Sequence, residues 1–193
     1  MNKLLRMFSL IAVFGIVTGC SINHPIAKDY PAFLSKNAGT GDLPKTELDT
    51  DYSIAGSTES HRYEFRAATV GYAHVWIVEF GKILDQTLNA PYVQNSFGRF
   101  DKRLNNSDSA GSLVQFTLEN YEFKNYRAYV SVKIELTKDA EAVLSKTYSA
   151  EGDSKGGQMW GAGPFGMKSA TLASTKSAID NILKQFLNDI PNP

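Results

Sequence analysis

Gly161-Ala162-Gly163-Pro164-Phe165-Gly166 carries the glycine spacing of a loop that cradles a dinucleotide. That chemistry needs backbone N–H groups aimed at the pyrophosphate, a helix starting behind them, and a later parallel strand that brings an acid to the ribose. The stretch follows an expected strand and precedes an expected helix, but no further strand follows that helix. Pro164 also removes one N–H from the loop. The pattern therefore predicts neither a nucleotide nor any other cofactor.

The longer segment from Gly152 to Gly166 holds Gly156, Gly157, Met159, Trp160 and Phe165 and leaves two readings open. It is either a connection whose large side chains fold back over a sheet edge, or a contact loop. In the second case Met159, Trp160 and Phe165 offer their area to a protein partner or to lipid. The histidines are His24, His61 and His74, with no H-E-x-x-H motif and no i, i+4 pair. With Cys20 the single cysteine, neither a zinc site nor an intrachain disulfide is expected. There is no nucleophile elbow and no phosphate-binding P-loop. Glu79, Asp85, Glu119 and Glu122 are expected on solvated faces. Tyr121, Phe123, Tyr126 and Tyr129 surround a turn at Lys124-Asn125, where core or edge packing competes with the stacking of a carbohydrate or peptide. No catalytic residue is indicated, and the chain is not expected to be an enzyme.

Cys20 has a different use. MNKLLRMFSLIAVFGIVTGC begins with Lys3 and Arg6, continues through the apolar stretch Leu10 to Val17 and ends in small residues, the layout of a secretory signal peptide. Val17-Thr18-Gly19-Cys20 resembles the lipobox of bacterial lipoproteins, in which cleavage precedes the cysteine and the new terminus is acylated. The resemblance implies a leader over 1–19 and lipidation of Cys20, hence a membrane attachment through several acyl chains. In such lipoproteins of diderm bacteria an aspartate after the cysteine favours the inner membrane. Ser21 stands here instead, which implies the outer membrane and its periplasmic face. Twenty basic residues balance twenty acidic ones without long runs of either sign, so no nucleic-acid partner is expected.

Residues 20–50 carry Pro25, Pro31, Pro44, Gly39 and Gly41 without a sustained period and read as a lipidated tether, with at most a short helical turn around Ala32 to Ser35. Residues 51–193 read as one domain. Tyr52 to Ile54 and His61 to Ala67 suggest early extended segments. Trp76, Phe80, Ile83, Leu84 and Leu88 predict a helix from about Tyr72 to Ala90. Val114, Phe116 and Leu118 alternate with polar residues, and the apolar phase then moves to Tyr121 and Phe123, as at a bulge or a strand end. Ala128 to Leu136 alternate cleanly, and Ala142 to Ala150 return as a third strand. Leu172, Ile179, Ile182, Leu183, Phe186 and Ile190 predict a final helix. The expected fold is α+β, a two-layer sandwich of an antiparallel sheet with two helices packed on one face.

A lipobox, a tether, a helix like Gly81 to Leu88, a hairpin like Leu113 to Leu136 and a final helix like Ala178 to Leu187 resemble the small envelope lipoproteins related to ABC-type transport auxiliary lipoproteins. Their fold is similar to the amino-terminal domain of TolB. The resemblance implies a non-catalytic accessory component that binds a protein partner in an envelope assembly or lipid-transport process. Two other readings stand beside it: a carrier of a small hydrophobic ligand in a helix–sheet pocket, and an envelope hydrolase.

Overall fold

The computed structural model describes residues 21–37, 42–103, 111–154 and 159–191. In chain order the elements are β1 (Ile22–Pro25), α1 (Tyr30–Asn37), β2 (Asp49–Ile54), β3 (Tyr63–Phe65), β4 (His74–Val78), α2 (Phe80–Leu88), β5 (Arg99–Lys102), β6 (Ser112–Lys124), β7 (Arg127–Lys138), β8 (Glu141–Glu151) and α3 (Met159–Asp189). The fold is α+β. β7 shows the cause of the main sheet most plainly: Ala128, Val130, Val132, Ile134 and Leu136 are buried while the residues between them are half-exposed. The two hairpins close through Asn125-Tyr126 and Asp139-Ala140, all four at φ between 50° and 67°. Positive φ at both central residues matches the twist of the flanking strands.

The phase change in β6 is a bulge: its register against β7 shifts between Leu118 and Asn120. Thr58 Oγ1 accepts the Leu118 N–H there at 2.7 Å. Beyond the bulge Tyr121 and Phe123 turn into the core. The ring of Phe116 meets Phe186 of α3 edge-on at 6.4 Å, and Tyr52, beside it, hydrogen-bonds Asp85 and Asn89 around α2. Both helices thus cover the same face of the sheet.

Three expectations are corrected. The sheets are mixed, not antiparallel: the larger has the order β5-β2-β6-β7-β8, with β2 parallel to both neighbours, and a smaller one has the order β1-β4-β3, with β1 parallel to β4. Parallel neighbours need long crossovers, and the chain supplies them between β1 and β4 and again between β2 and its partners β5 and β6. The helix expected from Tyr72 begins only at Phe80, because Val75, Trp76, Ile77 and Val78 are buried in a strand. A short, fully buried apolar run has no period that separates strand from helix. Within the expected tether 20–50, residues 22–37 are not a free arm either. β1 is paired, and Ile26, Tyr30 and Leu34, one helical turn apart, are buried in the core. The hydroxyl of Tyr30 lies 2.7 Å from Thr87 Oγ1 of α2, which fixes α1 against that helix.

Candidate anchoring edge and contact surface

β1 and β4 pair in the smaller sheet, with β1 at its edge. The Ile22 N–H donates to the Ala73 carbonyl at 2.8 Å, and pairing continues from Ile22 with His74 to Pro25 with Ile77. This register brings two histidines together that lie fifty positions apart in sequence, His24 Nε2 and His74 Nδ1 at 2.8 Å. One ring donates and the other accepts. Burial first, then the charges of His74 and Lys168, hold the His24 imidazole below its ordinary pKa. Trp76, fully buried, is stacked between His24 and Phe65 at ring separations of 5.5 and 5.4 Å. Its indole N–H reaches the Pro164 carbonyl at 3.4 Å. Lys168 and Asp29 add an ion pair between α3 and the segment after β1.

The contact residues expected on the glycine-rich segment sit on a broken helix, not on a loop between strand and helix. Met159 and Trp160 have helical backbone, and their side chains lie outside the described part of the structure. Gly163, at φ 51° and ψ −129°, interrupts α3, a conformation open to glycine. Pro164 follows the break, where its missing N–H costs nothing and its fixed φ suits a new helical turn. Phe165 is carried on that turn and is 74 % exposed. Cys20 lies outside the described residues, and so do residues 1–19, where a leader is expected.

No family model matches the chain, and no curated protein matches it. Among solved structures it is similar to the crystal structure of a Xanthomonas campestris protein of the DUF330 family, at 14 % identity and a TM-score of 0.48, over 76 % of this chain and 85 % of that one. It is also similar to the crystal structure of an uncharacterised protein, at 11 % identity and a TM-score of 0.43, over 78 % of this chain and 95 % of that one.

The acids considered above are scattered. Glu79 pairs with Lys82 at 2.5 Å, Asp85 with Lys102 at 2.9 Å and Glu122 with Lys124 at 2.9 Å, while Glu119 is exposed at the bulge. Among the described residues no group of three or more His, Cys, Asp or Glu side chains is placed to hold a metal ion. Of the aromatic cluster, Tyr121 and Phe123 belong to the core, against Tyr63 and Phe65 at 5.2 and 4.8 Å. Tyr126 and Tyr129 are half-buried, the second under the Lys124 ammonium at 4.9 Å.

Sequence reasoning missed three features. Ile22 and Tyr72, exposed by 49 % and 69 %, flank the β1–β4 edge. Asp51, buried on β2, is held by Arg99 at 2.9 Å and Arg103 at 3.5 Å. A cavity of about 410 Å³ opens between Leu48, Leu136, Val143, Ile190 and Pro191 where α3 ends on the sheet. Each joins residues far apart in the chain, and none of them has a local sequence signal.

Proposed function

We propose that this chain is a non-catalytic lipoprotein of the outer membrane, held by acyl chains on Cys20 and facing the periplasm. Its domain binds a protein partner in an envelope assembly or lipid-transport process. The observation that supports the reading is Phe165, a large apolar ring exposed by 74 % on the turn after the Gly163 break. Covering such a ring with a partner contributes about 1.5–3 kcal/mol. Met159 and Trp160 precede it on the same end of α3, on the other side of the Gly163 break.

The test is crosslinking in the cell, with a photoreactive benzoylphenylalanine in place of Phe165 and Cys20 intact. The expected outcome is capture of an envelope protein, identified by mass spectrometry and lost in a Cys20→Ala control. Recovery of nothing above that control would sink the partner reading.

A second reading draws on the 410 Å³ cavity at the carboxyl end of α3, which lies in the size range of small-molecule sites and joins five aliphatic residues to polar ones that include Glu47, Asp49 and Lys138. A lipid that stays with the purified chain and is identified by mass spectrometry favours a ligand carrier over a scaffold.

A further inference from the structure

Covalent reach decides how an anchored domain sits. Ser21 alone separates Cys20 from Ile22. An extended chain spans at most about 3.6 Å per residue, so the two lie within about 7 Å of each other. Ile22 is no free arm, because its N–H is bonded to Ala73 and β1 runs on beside β4. An acyl anchor at Cys20 therefore brings lipid headgroups directly to the start of these two strands.

The side chains at that edge suit such a place. Ile22 and Tyr72 are two of the four large apolar residues that stand exposed among the described residues, and the Ile22 N–H is bonded to the carbonyl of Ala73, the residue after Tyr72. Gly71, at φ 91°, turns the chain just before Tyr72. Arg66, itself exposed, donates to the Tyr72 carbonyl. A tyrosine ring, an aliphatic side chain and a guanidinium together are the combination that settles at the level of lipid headgroups, ring and chain inward and charge toward phosphate.

We propose that Ile22, Tyr72 and Arg66 form a bilayer-resting edge, so that the domain is seated on the membrane instead of hanging from it. The proposal rests on the reading of Cys20 as acylated. It leaves Phe165, on the adjoining end of α3, for a partner.

The experiment uses the full chain, expressed with fatty-acid labelling and reconstituted into vesicles of phosphatidylethanolamine and phosphatidylglycerol. An environment-sensitive fluorophore is placed at Tyr72→Cys, and at Asn188→Cys as control. Asn188 lies twenty residues along α3 from Lys168, about 30 Å of helix away from the segment after β1. Nitroxide-bearing lipids should quench the fluorophore at 72 at least about twofold more than at 188, with a blue shift only at 72. A flexible insert of glycines and serines between Ser21 and Ile22 should abolish the difference. Labelled fatty acid on the protein together with equal quenching at both positions overturns the seated edge and leaves the anchor standing. A fluorophore at 72 that is shielded from water yet untouched by lipid quenchers assigns the edge to a second copy and overturns the proposal as well. A chain without fatty-acid label overturns both the edge and the anchor.

Discussion

The bond between His24 and His74 survives one protonation and not two, since a doubly charged pair has no acceptor left. His24 is held below its reference pKa of 6.5 by burial, by His74 and by Lys168. The unfolded chain therefore takes up this proton first as the pH falls. Its contribution to stability is complete above 6.5 and is lost as the pH drops from there toward the folded value. His61, lowered by burial alone, adds a slope of the same sign. We expect the urea midpoint to fall between neutrality and about pH 5. His24→Gln, which keeps a group able to bond His74, should flatten part of that fall. An unchanged profile in the variant would show that the pair has no such role. Neither histidine could be assigned this partner from the sequence, because pairing of the two depends on the β1–β4 register and not on any spacing within one element.

Close contact between α3 and the main sheet depends on one position at the end of β8. A Cβ on Gly152 would stand 1.9 Å from the Ser174 carbonyl oxygen, and the Gly152 N–H donates to Ala128 at 2.8 Å. Ser174 Oγ in turn accepts the Ala128 N–H at 2.9 Å, so strand, glycine and helix form a single seam. Gly152→Ala must push backbone from backbone, and we expect it to lower unfolding stability by about 1–3 kcal/mol, read from denaturant melts. A loss of only a few tenths would mean that the seam gives way freely. At this scale the sequence was most readable where apolar and polar residues alternate over many positions, as in β6 and β7 with their bulge, and in the stripe of α3 from Leu172 onward. It was least readable at β4, whose buried run continued the helical spacing of Phe80, Ile83 and Leu84 one step too far back. Gly152 looked like the start of a loop because the need for close approach arises only when α3 is laid beside β8.

Residues 22–37 complete the core of the whole molecule. Ile26 and Tyr30 are fully buried, and Leu34 nearly so. Each such side chain contributes about 1.5–3 kcal/mol, against a total stability that is typically about 5–15 kcal/mol. A chain starting at Asp51 should therefore lose cooperative unfolding or aggregate, while one starting at Ser21 should melt in a single transition. A cooperative melt from the shorter chain, seen by circular dichroism, would return those residues to the role of a tether. Pro25 and Pro31, with Gly39 and Gly41 just beyond, concealed this, although Ile26, Tyr30 and Leu34 already stood at helical spacing. The parallel pairing of β1 has one more consequence, and it is mechanical. Tension applied at residue 21 runs along the strand axis and loads the rungs between Ile22 and Pro25 in shear, together and not one by one. A pull on the amino terminus is thus spread over the whole small sheet, and the strand that receives the force is also the one that holds Trp76 in place through His24.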